Sequence, residues 1–198
     1  NPDQKSELEV QGKQADQLFT SAKARGFHNL YAFFGSGEAF PNYATIPSED
    51  QALKREVRYM VARFGALVDM WEWTNESDSG SVRDSWLTYV TNYLHSIDPY
   101  HRLITNSHPR TTDQNYLDFQ SPHGQDNYFN FQTYNKSDSL PVINGEGYIG
   151  AMTPNCSAST TEAANLGEEL FRTQSWNAYF SHMGVIWWGS SGSYPVCF

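Results

Sequence analysis

The sequence predicts an α/β fold in which a parallel sheet is flanked by helices. Short apolar segments alternate with segments of helical periodicity, and the connections between them are short. The stretch from Leu67 to Glu76, LVDMWEWTNE, begins as an apolar run typical of a buried parallel strand and ends in a polar cluster. No repeat, low-complexity tract or linker interrupts the pattern, so we predict a single domain over residues 1–198.

The helices are predicted from apolar residues three or four positions apart and from residues typical of helix ends. Residues 1–13 are polar and are expected to form an irregular lead-in. The predicted helices run through residues 15–22 with Gly26 as C-cap, from a capping box of Ser48 and Gln51 to Phe64, from Val82 to Ile97, and from Thr160 or Thr161 to Phe180.

Six strands are predicted between these helices. Each is a short run of apolar and β-branched or aromatic residues bounded by turn residues. They cover residues 27–34, 67–73, 102–106, 116–120, 140–144 and 184–188.

Two glutamates follow predicted strands and are the candidate catalytic residues. A strand that is apolar to its C-terminal end and then presents a carboxylate suits a (β/α) barrel, whose packed interior excludes charge and whose chemistry lies at the C-terminal rim. Glu76 meets this description in WEWTNE, and Glu146 follows the strand in PVINGEGYIG. The alternative is that both are surface loop residues, because Gly-Glu-Gly is also an ordinary turn.

Composition excludes several classes of partner. The formal net charge is −9 and no cluster of Lys and Arg forms a stripe, which argues against nucleic acid and against an anionic membrane surface. No apolar run approaches the length of a membrane span, and any signal peptide is expected to have been removed. The 6 Trp, 12 Tyr and 12 Phe fit a cleft that stacks on sugar rings, or alternatively a bulky core.

The two cysteines, Cys156 and Cys197, are too few for a disulfide framework and do not match a zinc spacing. A disulfide between them and two free buried thiols both remain open.

Several segments together resemble a known clan. WEWTNE, PVINGEG and VIWWG, in this order, are similar to retaining (β/α)8-barrel glycoside hydrolases. YMVARFGAL and SIDPYHRLIT resemble a subgroup of cellulase-like and apiosidase-like enzymes. The resemblance implies an incomplete (β/α)8 TIM barrel with about six of its eight strands, the first two missing. It implies that the chain is a piece of a larger protein or that a second polypeptide supplies those strands.

The resemblance also implies roles for individual residues. Glu76 would be the acid/base, Glu146 the nucleophile and Asn75 the partner of the sugar 2-hydroxyl. Only one of the two tryptophans of the last strand can point into the barrel, because side chains alternate along a strand. The further implied substrate-binding residues are Trp73, His108, His123, Tyr148, Trp187 and Trp188.

The predicted function is therefore a retaining glycoside hydrolase that cleaves O-glycosidic bonds of a poly- or oligosaccharide, needs no cofactor or metal, and is secreted or periplasmic. One alternative is a carbohydrate-binding or structural protein on a barrel that has lost catalysis. Another is a metal-dependent barrel hydrolase that uses His108, His123 and carboxylates such as Asp118, although no HxH or HExxH pattern supports it.

Overall fold

The computed structural model describes residues 2–35, 42–75, 83–107, 115–124, 140–148, 172, 175–176, 178–180 and 183–188. The chain divides into two compact units, one of residues 1–106 and 115–117 and one of residues 107–114 and 118–198. The elements, in chain order, are α1 (Pro2–Ala24), β1 (Leu30–Phe34), α2 (Pro47–Phe64), β2 (Met70–Thr74), α3 (Asp84–Ile97), β3 (Leu103–Thr105), β4 (His123–Gly124), β5 (Ile143–Tyr148) and β6 (Gly184–Trp188).

The first unit is a parallel sheet with three helices. Its strands lie in the order β1-β2-β3, and both strand pairs are parallel. One sheet face packs on the helices through a buried core that includes Leu53, Val61, Trp71 and Val90. The prediction of an α/β fold with parallel strands and flanking helices is confirmed for this unit.

The start of the chain differs from the prediction. Residues 2–13 are not an irregular lead-in, because α1 begins at Pro2 and runs to Ala24. Ala15 and Phe19 of this helix pack against the core, which supplies the tertiary contacts that a polar helix needs for stability. The predicted C-cap is present: Gly26 has φ +84°, and the Phe27 N–H donates to the Ala22 carbonyl at 3.1 Å.

The start of α2 also differs. The predicted capping box of Ser48 and Gln51 does not form, because Ile46 is the N-cap and has no side-chain capping bond. Pro47 occupies the first helical position, where its missing N–H would have had no helical partner. The predicted end of this helix at Phe64 is confirmed.

The second unit carries three further parallel strands in the order β4-β5-β6. The strand predicted at 116–120 is wrong. Only isolated parallel bridges join Ser107 to Ser121 and Gln120 to Val142, and β4 lies at 123–124. The strand predicted at 140–144 lies instead at 143–148, whereas the one at 184–188 is confirmed.

In the described part of the chain, none of the helices has the length and apolar character required to cross a bilayer. The prediction of one domain over residues 1–198 stays a prediction.

Candidate active site

Alternation along β2 separates structural from polar side chains. The Trp71 indole N–H donates to Asp98 Oδ2 at 3.0 Å, and the Trp73 indole N–H donates to Thr91 Oγ1 at 2.9 Å. Thr91 belongs to α3, so these indoles lie on the helix-bearing face. Successive strand residues point to opposite faces, which places Glu72 and Thr74 on the other face of the sheet.

The face of the sheet away from the helices carries buried polar groups near its carboxyl edge. Glu72 stands in register between Ala32 and Thr105, and it is only 7% exposed. Thr74 is fully buried, and its hydroxyl has no hydrogen-bond partner among the described residues. Buried polar groups are normally hydrogen-bonded, so the Thr74 hydroxyl is a buried polar atom at the end of β2 that the described residues leave unpaired.

Asn75 follows β2 directly at this edge. Its backbone N–H donates to the Phe34 carbonyl at 3.1 Å, so the chain remains tied to β1 one residue past the strand. Asn75 is half-buried. The next residue, Glu76, lies outside the described residues, and its catalytic role stays a prediction.

Trp73 occupies the core. Its side chain has no exposed surface, stacks on Phe33 at 4.8 Å between ring centroids, and meets Trp86 edge-on at 6.0 Å. These contacts and the hydrogen bond to Thr91 hold the Trp73 side chain in the core. To contact a substrate, this side chain would have to leave the core. Its role in substrate binding stays a prediction that these contacts do not support.

The second unit places Glu146 inside a strand, not after one. Glu146 stands opposite His123, and Tyr148 stands opposite Trp188. The register between β5 and β6 shifts between Asn144 and Gly147, so β5 has one more residue than β6 in this interval. A register shift of this kind is a β-bulge or another local irregularity, and β-bulges are over-represented next to active sites because they re-aim side chains.

Gly145 lies against Ser121 at this irregularity. A Cβ atom at this position would meet Ser121 Oγ, which would have to turn aside, and the Gly145 N–H donates to the Pro122 carbonyl at 3.1 Å. The absence of a side chain at Gly145 therefore leaves room for the Ser121 hydroxyl.

The remaining predicted site residues are described only in part. For His123, Glu146, Tyr148, Trp187 and Trp188 the backbone is described and the side chain is not. His108, Cys156 and Cys197 lie outside the described residues, so the disulfide and the roles of these residues stay predictions. Among the side chains that the structure describes, no three of His, Cys, Asp and Glu are grouped as metal ligands would be.

The first turn of α2 carries the charged cluster nearest in sequence to the end of β1. Asp50 accepts hydrogen bonds from the Tyr89 hydroxyl and from Lys54 Nζ, the latter at 3.0 Å. The bond from Tyr89, followed by that from Lys54, lowers the pKa of Asp50. The Tyr43 ring stacks on Tyr89 at 4.8 Å. This cluster ties α2 to α3.

The sequence reasoning missed the polar groups inside the first sheet. Glu72 and Thr105 lie within strands that read as apolar, and for Glu72 only its alternation with Trp71 and Trp73 could have indicated it. The contact of Ser121 with Gly145 was also missed, because a strand was predicted at 116–120, directly before Ser121.

Comparison with solved structures identifies the fold. The chain is similar to a Bacteroides ovatus GH5 xyloglucanase solved with a XXXG heptasaccharide, with TM-score 0.65 and 10% identity over 94% of this chain and 55% of that one. It is similar to a GH113 β-1,4-mannanase, with TM-score 0.63 and 12% identity over 93% of this chain and 70% of that one. It is also similar to a Bifidobacterium dentium β-glucuronidase solved with coumarin-3-O-glucuronide, with TM-score 0.60 and 12% identity over 87% of this chain and 32% of that one.

The chain therefore has an α/β fold of the kind found in TIM-barrel glycoside hydrolases, as the sequence motifs predict. It spans about half the length of the xyloglucanase. No protein-family model and no curated protein sequence matches it.

Proposed function

We propose that the protein is a retaining glycoside hydrolase in which Glu76 is the acid/base, Glu146 is the nucleophile and Asn75 binds the sugar 2-hydroxyl. The observation that supports it most is the register shift at Glu146, beside His123, in a chain with a glycoside-hydrolase fold. The edge position of Asn75, directly after β2, adds support because the chemistry of such folds lies at the carboxyl ends of the strands.

The mechanism requires two carboxyl groups in different protonation states. The ionised Glu146 attacks the anomeric carbon, while the protonated Glu76 gives its proton to the leaving oxygen. Water then releases the sugar from Glu146, and Glu76 now takes a proton from that water. Retention of configuration requires the two groups to stand about 5–5.5 Å apart. At this separation the charge on Glu146 raises the pKa of Glu76, which keeps its proton available.

The substrate is proposed from the ligands of the similar proteins. The probe panel consists of the XXXG xyloglucan heptasaccharide, a β-1,4-mannan oligosaccharide and coumarin-3-O-glucuronide, together with aryl β-glycosides of glucose, mannose and xylose.

Turnover of this panel tests the proposal. We expect Glu76→Gln and Glu146→Gln each to lower the turnover of the preferred substrate by at least about a thousandfold, because each removes a group that acts on the reacting bond. Glu49→Gln is the matched control, because Glu49 lies on α2 and binds the Asn42 backbone N–H at 2.9 Å. Unchanged turnover in both site variants would refute the assignment. Binding of sugars without turnover by the unmodified chain would favour a non-catalytic carbohydrate-binding protein.

A leaving-group series separates the two roles. A dinitrophenolate leaves without a proton, so Glu76→Gln should still release it rapidly in the first turnover, whereas Glu146→Gln should not. The NMR spectrum of the first product gives the stereochemistry, and the configuration of the substrate should be retained. An inverted product would exclude the double-displacement mechanism.

We also propose that two further parallel strands lie beside β1, supplied either by another part of a larger protein or by a second polypeptide. Among the described strands, β1 pairs only with β2, and Ala32 is exposed. The helix α1 precedes β1 and packs on it through Phe19 and Tyr31 at 5.9 Å between ring centroids. A helix in this position normally connects from an earlier parallel strand, which would lie at the open edge of β1. Secretion or a periplasmic location remains part of the proposal.

A further inference from the structure

A cavity of about 580 Å³ lies between α1 and α2 in the first unit. Its floor is formed by Tyr31, Met60 and Phe64, and Ala15 of α1 forms one wall. The volume falls within the range of roughly 300–1,000 Å³ that is usual for small-molecule sites.

This cavity is on the face of the first sheet opposite to Glu72 and Thr74. Tyr31 stands in register with Trp71 and meets its indole edge-on at 6.0 Å, so both lie on the helix-bearing face, whereas Glu72 and Thr74 point to the other face. The α2 residues that line it run from Arg55 to Phe64, in the half of the helix that leads to the start of β2. The cavity is therefore away from the carboxyl edge of the sheet.

An ion pair links the two helices beside the cavity. Arg63 binds both carboxylate oxygens of Asp16 on α1, at 3.0 and 2.8 Å, and also donates to the Tyr59 hydroxyl. A Cβ atom at Gly12 would lie 2.6 Å from the Arg63 guanidinium, so glycine leaves the space that this side chain occupies. The cavity thus has a defined wall on both helices.

The polar rim indicates the class of ligand. Glu9, Gln11, Arg55 and Glu56 line the cavity together with the Tyr59 ring, which is 47% exposed. The two carboxylates disfavour a phosphate or another anion, and Arg55 disfavours an organic cation. An aromatic and apolar floor below an amide, carboxylates and a guanidinium suits a neutral ligand with apolar faces and many hydroxyl groups.

The Tyr31 hydroxyl reaches the floor of the cavity. It donates to Met60 Sδ at 3.2 Å. Burial, followed by the charge of Glu56, raises the pKa of Tyr31, so its hydroxyl remains neutral over the working pH range of most proteins. It contributes a polar atom to the floor without adding charge.

We propose that the cavity lined by Tyr31, Tyr59, Glu56 and Arg55 is a second carbohydrate-binding site, away from the carboxyl edge of the first sheet. For the ligand class it rests on the proposed function. A site on the helix-bearing face would hold one part of a glycan chain while another part is cleaved at the carboxyl edge or while a neighbouring molecule is cleaved.

Titration with the oligosaccharides of the probe panel tests the inference. The full chain carries Glu146→Gln so that no probe is hydrolysed, and backbone NMR follows residues 9–15, 31 and 55–64. At least one neutral oligosaccharide should shift these signals. Tyr59→Ala should weaken this binding roughly fivefold, because an aromatic contact contributes about 1 kcal/mol beyond its area. Glu56→Gln, which keeps the size of the side chain, should weaken it severalfold.

Tyr100→Ala is the matched control. Tyr100 is 49% exposed and has Arg102 at 5.0 Å from its ring, much as Tyr59 has Arg63 at 5.7 Å. Its removal should leave the affinity within twofold. Circular dichroism and thermal unfolding show whether each variant is folded, and Glu56→Gln provides the measurement if Tyr59→Ala is not.

The outcomes are distinct from those of the turnover experiment. Any of three results would overturn the inference. The signals of these residues do not shift up to about 10 mM oligosaccharide, or Tyr59→Ala binds with the same affinity as the unmodified cavity, or Tyr100→Ala loses as much affinity as Tyr59→Ala. A chain that binds here but hydrolyses nothing would overturn only the proposed function, and a chain that hydrolyses aryl glycosides but does not bind here would overturn only the second site.

Discussion

Alternate residues of β2 have different surroundings: Trp71 and Trp73 pack in the core, whereas Glu72 and Thr74 face the other side of the sheet. The indole nitrogens of Trp71 and Trp73 are satisfied by Asp98 and Thr91, so large aromatic surfaces are buried without unpaired donors at these positions. Glu72 and Thr74, which alternate with these tryptophans, are polar and face the opposite side of the sheet. A strand that reads as apolar in the sequence thus carries a structural face and a polar face.

Removing the Thr91 hydroxyl should destabilise the first unit. Thr91→Val keeps the shape of the side chain but leaves the buried Trp73 N–H without its partner, which should cost about 1–3 kcal/mol in unfolding free energy. Urea denaturation measures the change. Thr88→Val on the same helix is the control, because Thr88 bonds only to the Asp84 carbonyl one turn earlier and is half-buried. Equal losses in the two variants would contradict the importance of the Trp73 bond.

A side chain at Gly145 should force the Ser121 hydroxyl to move. Gly145→Ala would bring a methyl group against Ser121 Oγ, so we expect a loss of about 1 kcal/mol in stability, at the low end for overpacking because the hydroxyl can rotate, and a loss of turnover. Ser121→Gly should restore part of both losses in the double variant, because it removes the atoms that are contacted. Unfolding and turnover of the four proteins form the cycle. Additive effects would show that the clash is not the cause.

At the scale of elements, the helices are placed by contacts that the sequence does not display. Residues 2–13 are polar, yet they form the first part of α1 because Ala15 and Phe19 anchor the helix to the core and Asp16 binds Arg63 of α2. The link between α2 and α3 is likewise a side-chain cluster, in which Asp50 joins Lys54 and Tyr89. Neither pairing follows from periodicity.

The link between α2 and α3 should weaken in acid. The pKa of Asp50 is lower in the folded chain than its ordinary value, so the folded state is favoured while Asp50 is ionised. Its contribution is present at neutral pH and is lost as the pH falls through the ordinary value, near 3.8, toward the folded value. Asp50→Asn should remove this part of the pH dependence, at a cost below about 1 kcal/mol because the group is partly exposed.

Thermal unfolding between pH 7 and pH 3 measures this contribution. The stabilities of Asp50→Asn and the unmodified chain should converge at the acid end. Asp84→Asn, at the start of α3, is the control for a helix-terminal carboxylate. A constant difference over the whole range would mean that the charge of Asp50 does not contribute.

For the whole molecule, the open edge of the first sheet is the feature with the largest consequence. Hydrogen exchange should be faster for the amides of residues 30–33 in the 198-residue chain than for those of β2, which has a strand on each side. In the protein isolated from its natural source, the two further strands should slow exchange at residues 30–33. Intact mass shows whether these strands belong to a longer chain or to a second polypeptide. Equal exchange in the two preparations would refute the proposed completion of the sheet.

The sequence by itself determined the alternation of helices and strands, the parallel sheet and the order of the glutamate-bearing segments. These follow from local periodicity and from turn residues such as Gly26 and Pro99, which act over a few positions. The tertiary structure decided which residues of each predicted segment form the strand. It moved the strand around Glu146 to 143–148, because its pairing with β4 and β6 and the contact of Gly145 with Ser121 fix the register.

The tertiary structure also decided that Trp73 belongs to the core and that a cavity lies behind Tyr31. The hydroxyl that satisfies the Trp73 indole comes from a residue 18 positions away, and the helices on either side of the cavity are joined by Arg63 and Asp16, which are 47 positions apart. Such pairings depend on how elements pack, and a pattern read along the chain contains no information on that packing.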